Sequence, residues 1–132
     1  MIGIDTNVLM RYFTQDDPRQ SKAAQGLLDR KLTRDNPGHI AAITLAEFAW
    51  VLKRLYAGTR EEIADAIQRL LTAPTLLVEH KTEVWKARRD YRTSTAGFSD
   101  CLIAQVNLAA GCEATYTFAR AASKVTGFKL TA

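Results

Sequence analysis

Three carboxylates stand where short apolar runs give way to helical patterns. Asp5 closes "MIGID" ahead of "TNVLMRYF", Glu47 lies in "TLAE" just after "IAAI", and Asp100 opens the apolar helix "SDCLIAQ". In a parallel sheet, the points that follow the strands gather at one edge, and ligands bind there. Carboxylates gathered in that way repel one another, and some take up protons unless a cation intervenes. Oxygen donors with no His or Cys among them suit magnesium or manganese. Asp5, Glu47 and Asp100 are therefore the candidate metal ligands and catalytic residues.

Each of the three has a plainer account. Asp is among the best N-cap residues, which covers Asp5. Thr44 and Glu47 have the spacing of a capping box, which covers Glu47. A carboxylate in the first turn offsets the helix dipole, which covers Asp100. The residues after Asp100 are almost wholly apolar, however, so its helix is expected to be buried, and a charge at such a helix end needs a partner. The joint pattern favours a metal site over three unrelated caps.

Basic residues give such a site a purpose. Lys53 and Arg54 lie on the helix carrying Glu47, and Lys86, Arg88, Arg89 and Arg92 crowd the helix before Asp100. Singly, each reads as part of a solvated face. As a set beside an acidic pocket they point to phosphate contacts along a nucleic-acid strand. The net charge of +4 is compatible with a polyanionic partner. Other chemistries lack their residues. There is no Gly-rich phosphate loop and no dinucleotide fingerprint. "DTN" lacks the second aspartate of aspartyl-phosphate hydrolases. His39 and His80 are isolated, and Cys101 and Cys112 fall in no metal or redox spacing.

The positioning elements alternate. Residues 1–5, "IAAI", "TLLVE", "CEATYTF" and "FKL" read as strands. "NVLMRYF" reads as a short helix. A second helix starts at Asp17 and Pro18 and runs to about Lys31. "TLAEFAWVLKRLYAG" is helical and closed by Gly58; "TREEIADAIQRLL" opens on a Thr59–Glu62 capping box. Residues 81–95 form the basic helix. Another helix runs from near Ser99 to Gly111, and "ARAASK" adds a turn or two. Strands alternating with helices predict an α/β sandwich with a mainly parallel sheet. At 132 residues, 47% hydrophobic and 24% charged, residues 1–132 read as one domain able to bury a core. No apolar run approaches the roughly 20 residues of a membrane span. No basic start leads into an apolar stretch, so no signal peptide and a cytoplasmic location are expected.

Three blocks, "IGIDTNVLMRYF", "ITLAEFAWVL" and "GFSDCLIAQVNLAAGCEATYTF", resemble in order and spacing those of the PIN-domain ribonucleases. They look most like the VapC toxins of bacterial toxin–antitoxin pairs, and the similarity runs from Met1 to about Leu130. The resemblance implies a PIN-like three-layer α/β/α sandwich with a short, mainly parallel sheet. It implies that Asp5, Glu47 and Asp100 hold Mg2+ or Mn2+, with Asn7 and Thr117 as polar supports beside them. The implied activity is endonucleolytic cleavage of RNA such as tRNA or rRNA. The implied partners are a VapB-like antitoxin and a second copy of the chain. One position departs from the family: where it reads "TFD", with a fourth acidic ligand, this chain reads "TFA", and Ala119 has no ligand oxygen. Activity lost or weakened is the expectation that follows. The alternative is a catalytically dead PIN-like domain that binds RNA or a protein partner.

Overall fold

The computed structural model describes residues 1–131. Within them five short strands, β1 (Ile2–Gly3), β2 (Gly38–Ile40), β3 (Leu76–Val78), β4 (Thr115–Thr117) and β5 (Phe128–Leu130), are interleaved with seven helices. The helices are α1 (Thr6–Thr14), α2 (Pro18–Gly26), α3 (Ala42–Tyr56), α4 (Arg60–Thr72), α5 (Lys81–Arg92), α6 (Phe98–Ala109) and α7 (Arg120–Ser123). β1, β2 and β3 form a parallel sheet in that order, and β4 and β5 form a separate parallel pair. The architecture is the mixed α/β class expected, with all strand pairs parallel, consistent with a PIN-like α/β/α arrangement.

The central strand needs its glycine. Gly38 pairs with Ile2 on one side and Leu76 on the other. A Cβ at Gly38 would lie 2.8 Å from Leu32 Cδ1 and 3.0 Å from Ile4 and Leu76 side-chain carbons. A larger residue there would have to displace these packed side chains. A contiguous core extends from Ile4 to Val125. Its fully buried members include Leu9 on α1, Leu45 and Phe48 on α3, Ile63 and Ile67 on α4, Val84 and Tyr91 on α5 and Cys101 on α6.

The helix signals hold at several places. Asp17 accepts from the Gln20 N–H, with Pro18 in the first turn of α2. Thr59 and Glu62 close a reciprocal capping box on α4. α6 gives way to Gly111, whose φ of +100° suits glycine.

Several details differ from the sequence expectation. "IAAI" is not the second strand: β2 is Gly38–Ile40 and α3 has begun by Ala42. Pairing with β1 and β3 fixes the strand earlier in the chain than its β-branched residues suggest. Ile43 consequently stands exposed in the first turn of α3. The second helix does reach Lys31, but its last turn, Leu27–Lys31, is π-helical, with Leu32 N–H donating to Leu27 O at 3.1 Å. At the end of α3 the left-handed residue is Ala57, φ 51°, one position before the expected Gly58. The basic helix also ends earlier than expected, at Arg92.

Candidate metal and nucleic-acid site

β1 delivers Asp5. Ile4 is buried and its N–H donates to His39 O at 2.9 Å, so the strand is fixed up to the residue before the carboxylate. Asp5 is the N-cap of α1: its Oδ1 accepts from the Thr6 N–H at 2.8 Å. The plainer account of Asp5 is thus partly right. The side chain is nonetheless exposed, with acceptor capacity left over.

The plainer account of Glu47 fails. α3 starts at Ala42 after an N-cap, Ala41, that offers no side-chain bond. Thr44 and Glu47 therefore lie inside the helix, and no capping box joins them. The cap comes instead from Glu79, just past β3, whose Oε1 accepts from Ala42 N–H at 2.9 Å. Glu79 is the acidic residue that sequence reasoning missed. Its signal was available: like Asp5, it directly follows a short apolar run, "TLLV". Glu47 itself is exposed.

Asp100 lies half-buried in the first turn of α6, flanked by buried Phe98, Cys101 and Leu102. Ser99 Oγ donates to Ala46 O at 3.5 Å, a long bond that ties the start of α6 to α3 beside Glu47. Among the described residues no ion pair involves Asp5, Glu47 or Asp100. The elements bearing them meet, but the carboxylates are not drawn into one cluster: among the described residues no three His, Cys, Asp or Glu side chains are placed to hold a metal ion together.

This donor set fits one kind of metal binding. Magnesium keeps several waters and is commonly held by one or two carboxylates plus substrate phosphates. Carboxylates at least partly exposed and outside any ion pair can serve in that way. A closed three-carboxylate cage is not formed.

The basic residues divide into two groups. Lys53 and Arg54 line the same cavity as Asp100, of about 280 Å3. On α5, Arg88 is taken up by the fold. It is buried, its Nε donates to Ala64 O at 2.8 Å, and its Nη2 lies 3.9 Å from Asp65. Arg89 is exposed and reaches the buried Asp90 at 3.2 Å, whose other oxygen accepts from Gln105 at 2.9 Å. Lys86 and Arg92 are exposed. Lys86 lines a groove with Leu108 and Ala109 of α6. At 1.5 Å per residue those positions are roughly 12 Å along the helix from Asp100. Lys53 and Arg54 of α3 are thus cavity neighbours of Asp100, whereas Lys86 lies further along α6 and Arg88 is buried against α4.

The remaining expected positions lie as follows. Asn7 is exposed and lines a groove between α1 and α2 with Arg11 and Gln20. Thr117 ends β4, and its Oγ1 accepts from Ala119 N–H at 3.0 Å. Ala119 is exposed and occupies the N-cap of α7, with no side-chain bond to offer. Alanine is among the poorest residues at an N-cap, and aspartate among the best. Near the start of α6, burial pushes the Cys101 thiol up to about 11. It stays protonated near neutral pH and is no nucleophile.

No helix among the described residues is long and apolar enough to cross a membrane. No curated protein matches the chain. The family profile described as PIN domain matches residues 2–127. That match takes in all three acidic positions and nearly the whole sequence, so the chain belongs to the PIN-domain family.

Proposed function

We propose that the chain is a metal-dependent endoribonuclease of the VapC type, the toxin of a toxin–antitoxin pair. PIN domains are nuclease folds and generally metal-dependent. The observation that carries the reading for this chain is the position of Asp100. It is half-buried at the start of α6 in a cavity shared with Lys53 and Arg54, while Asp5 and Glu47 stand exposed on the elements that follow β1 and β2. Carboxylates for a hard cation and guanidinium and ammonium groups for phosphates are what phosphodiester hydrolysis requires.

Asp5 and Asp100 hold the cation in this reading, with Glu47 beside them on α3. Bound magnesium or manganese supplies Lewis-acid polarisation of the phosphate and lowers the pKa of water. Lys53 and Arg54 hold the flanking phosphates and offset the charge that develops at the scissile one. Water rather than the ribose 2′-OH is the nucleophile, so the product carries a 5′-phosphate. tRNA or rRNA is the substrate class that the family likeness favours. A VapB-like antitoxin presenting a basic side chain to the acidic edge, a homodimer and a cytoplasmic location complete the reading.

Ala119 favours a second reading, a PIN domain that binds RNA or a protein partner without cutting. The two are separated by restoring the family's aspartate. Ala119→Asp is incubated with cellular RNA in magnesium and in manganese. Cleavage that chelator abolishes, that leaves 5′-phosphates, and that Asp5→Asn or Asp100→Asn removes in the same background supports the nuclease. No cleavage of any RNA by either form supports the binding module.

A further inference from the structure

We propose that Trp50 is a stacking platform for one unpaired base of a single-stranded RNA, seated beside the acidic site. This rests on the reading of the chain as an RNA-handling PIN domain and names a contact that the reading does not contain.

Trp50 lies three residues after Glu47 on α3, so the two are neighbours on the helix surface. An indole is costly to leave in water, yet Trp50 is 54% exposed. It lines the cavity of about 280 Å3 that Asp100 closes at the start of α6, over a floor of buried Phe98 and Tyr91. That volume falls just below the range of roughly 300–1,000 Å3 for pockets that enclose a drug-sized ligand. It suits a single flat ring system. Arg54, one turn further along α3, places its guanidinium carbon 5.6 Å from the centroid of the indole, and Lys53 lines the same cavity.

A half-exposed indole with one cation over its ring and a second in the same cavity offers what sequence-tolerant single-strand binders use: the aromatic takes a base on its remaining surface and the cations take the backbone. Charge argues for that occupant over an apolar protein segment, which would leave Lys53 and Arg54 without partners. Stacking on the α3 side of Asp100 would draw the strand across the acidic edge. It would also favour unpaired RNA, because a base inside a duplex cannot reach an indole face.

The experiment uses the full chain with Trp85→Phe, so that Trp50 is the only indole, and no divalent cation. Its fluorescence is followed during titration with three probes: a short single-stranded oligoribonucleotide, the same backbone carrying abasic residues, and a free mononucleotide. The expected result is quenching by the base-bearing oligomer, with the mononucleotide far weaker and the abasic backbone binding without quenching. Trp50→Leu should weaken the oligomer by about 5- to 150-fold, leave the abasic backbone unchanged, and be largely rescued by Trp50→Phe. Oligomer binding that neither quenches Trp50 nor responds to Trp50→Leu would overturn the platform while leaving the RNA reading intact. Failure of every probe to bind would overturn both. A Trp50→Leu chain whose sedimentation shows a lost dimer would also overturn it, by making Trp50 an interface residue.

Discussion

The guanidinium of Arg60 lies over the ring of Tyr91, 3.9 Å from its centroid. From the start of α4 the same side chain donates through Nη2 to the carbonyl of Tyr91 and to that of Ala96, the latter at 2.6 Å. These two carbonyls lie at the end of α5 and in the turn that leads into α6. Four residues after Ala96 comes Asp100. One cation therefore fixes the turn that delivers the half-buried carboxylate. Arg60→Ala removes two charge-assisted hydrogen bonds and a ring contact, and is expected to cost about 2–4 kcal/mol. Arg60→Lys keeps the charge but cannot present two N–H groups in one plane, so it should recover only part. Urea unfolding of the three forms checks this; a loss under about 0.5 kcal/mol for the alanine form, the size of an ordinary surface change, would remove Arg60 from the support of the site.

Much of this fold is legible because local chemistry and tertiary packing agree. Asp17 with Pro18 and Thr59 with Glu62 set helix starts by bonds made within four residues, and the structure keeps both. β2 is misplaced in a reading of sequence because its position depends on partners 36 and 38 residues away, Ile2 opposite Gly38 and Gly38 opposite Leu76. "IAAI" has the more strand-like composition, but Gly38 packs against Ile4, Leu32 and Leu76 with no room for a Cβ unless they shift. The same shift explains the failed Thr44–Glu47 box, since α3 had begun two residues before Thr44. The places of Asp5 and Asp100 at helix starts are legible because each sits at an element boundary. The fate of Arg88 was not: nothing in "KARRD" tells which arginine turns inward to Ala64 on α4.

That division among the arginines gives a salt experiment. Lys53 and Arg54 border the cavity of Asp100, whereas Arg88 is buried against α4. Removing Lys53 and Arg54 together should reduce the slope of log K against log salt by about 1.4 for a single strand, if each neutralises one phosphate. Arg88→Ala should leave the slope unchanged. It should instead lower stability by about 1–3 kcal/mol, because a buried carbonyl loses its donor. A steep fall in slope for Arg88→Ala with stability unchanged would reverse the assignment.

Ala119 poses a problem of two opposing signs. If position 119 borders the acidic residues, as the family pattern implies, its lack of a carboxylate removes like-charge repulsion there, which favours the metal-free chain. Its place as N-cap of α7 with no side-chain bond does the opposite. An aspartate or asparagine there typically contributes about 0.5–2 kcal/mol, and a helix of four residues should lie at the low end. Ala119→Asn supplies the cap without the charge; Ala119→Asp supplies both. The expected order of stability without metal is Asn above Asp, with magnesium narrowing the gap by binding the aspartate form. Thermal unfolding with and without magnesium measures it. An aspartate form already equal to the asparagine form in chelator would mean that position 119 feels no neighbouring carboxylate.

The thiols give a prediction in pH. Cys101 is fully buried on α6, and Cys112 is exposed past its end. Burial raises Cys101 from 9.0 to about 11, so the folded chain holds its thiol proton where the unfolded chain has begun to lose it. Below pH 9 both states keep the proton, and this group adds no pH dependence. Between about 9 and 11 the unfolded state releases the proton first, so stability falls as pH rises, by about 2–3 kcal/mol in total. Tyr91, whose phenol is also raised by burial, adds a loss of the same sign at higher pH. Cys101→Ala separates the two. Its stability should be lower at pH 8 because a small cavity opens, and its decline between pH 8 and pH 10.5 should be visibly shallower than that of the parent. In the native chain at pH 8 a thiol reagent should modify Cys112 quickly and Cys101 only at the rate of unfolding. Equal rapid labelling of both cysteines, or an unchanged pH slope in Cys101→Ala, would show that the start of α6 opens far more readily than its packing implies.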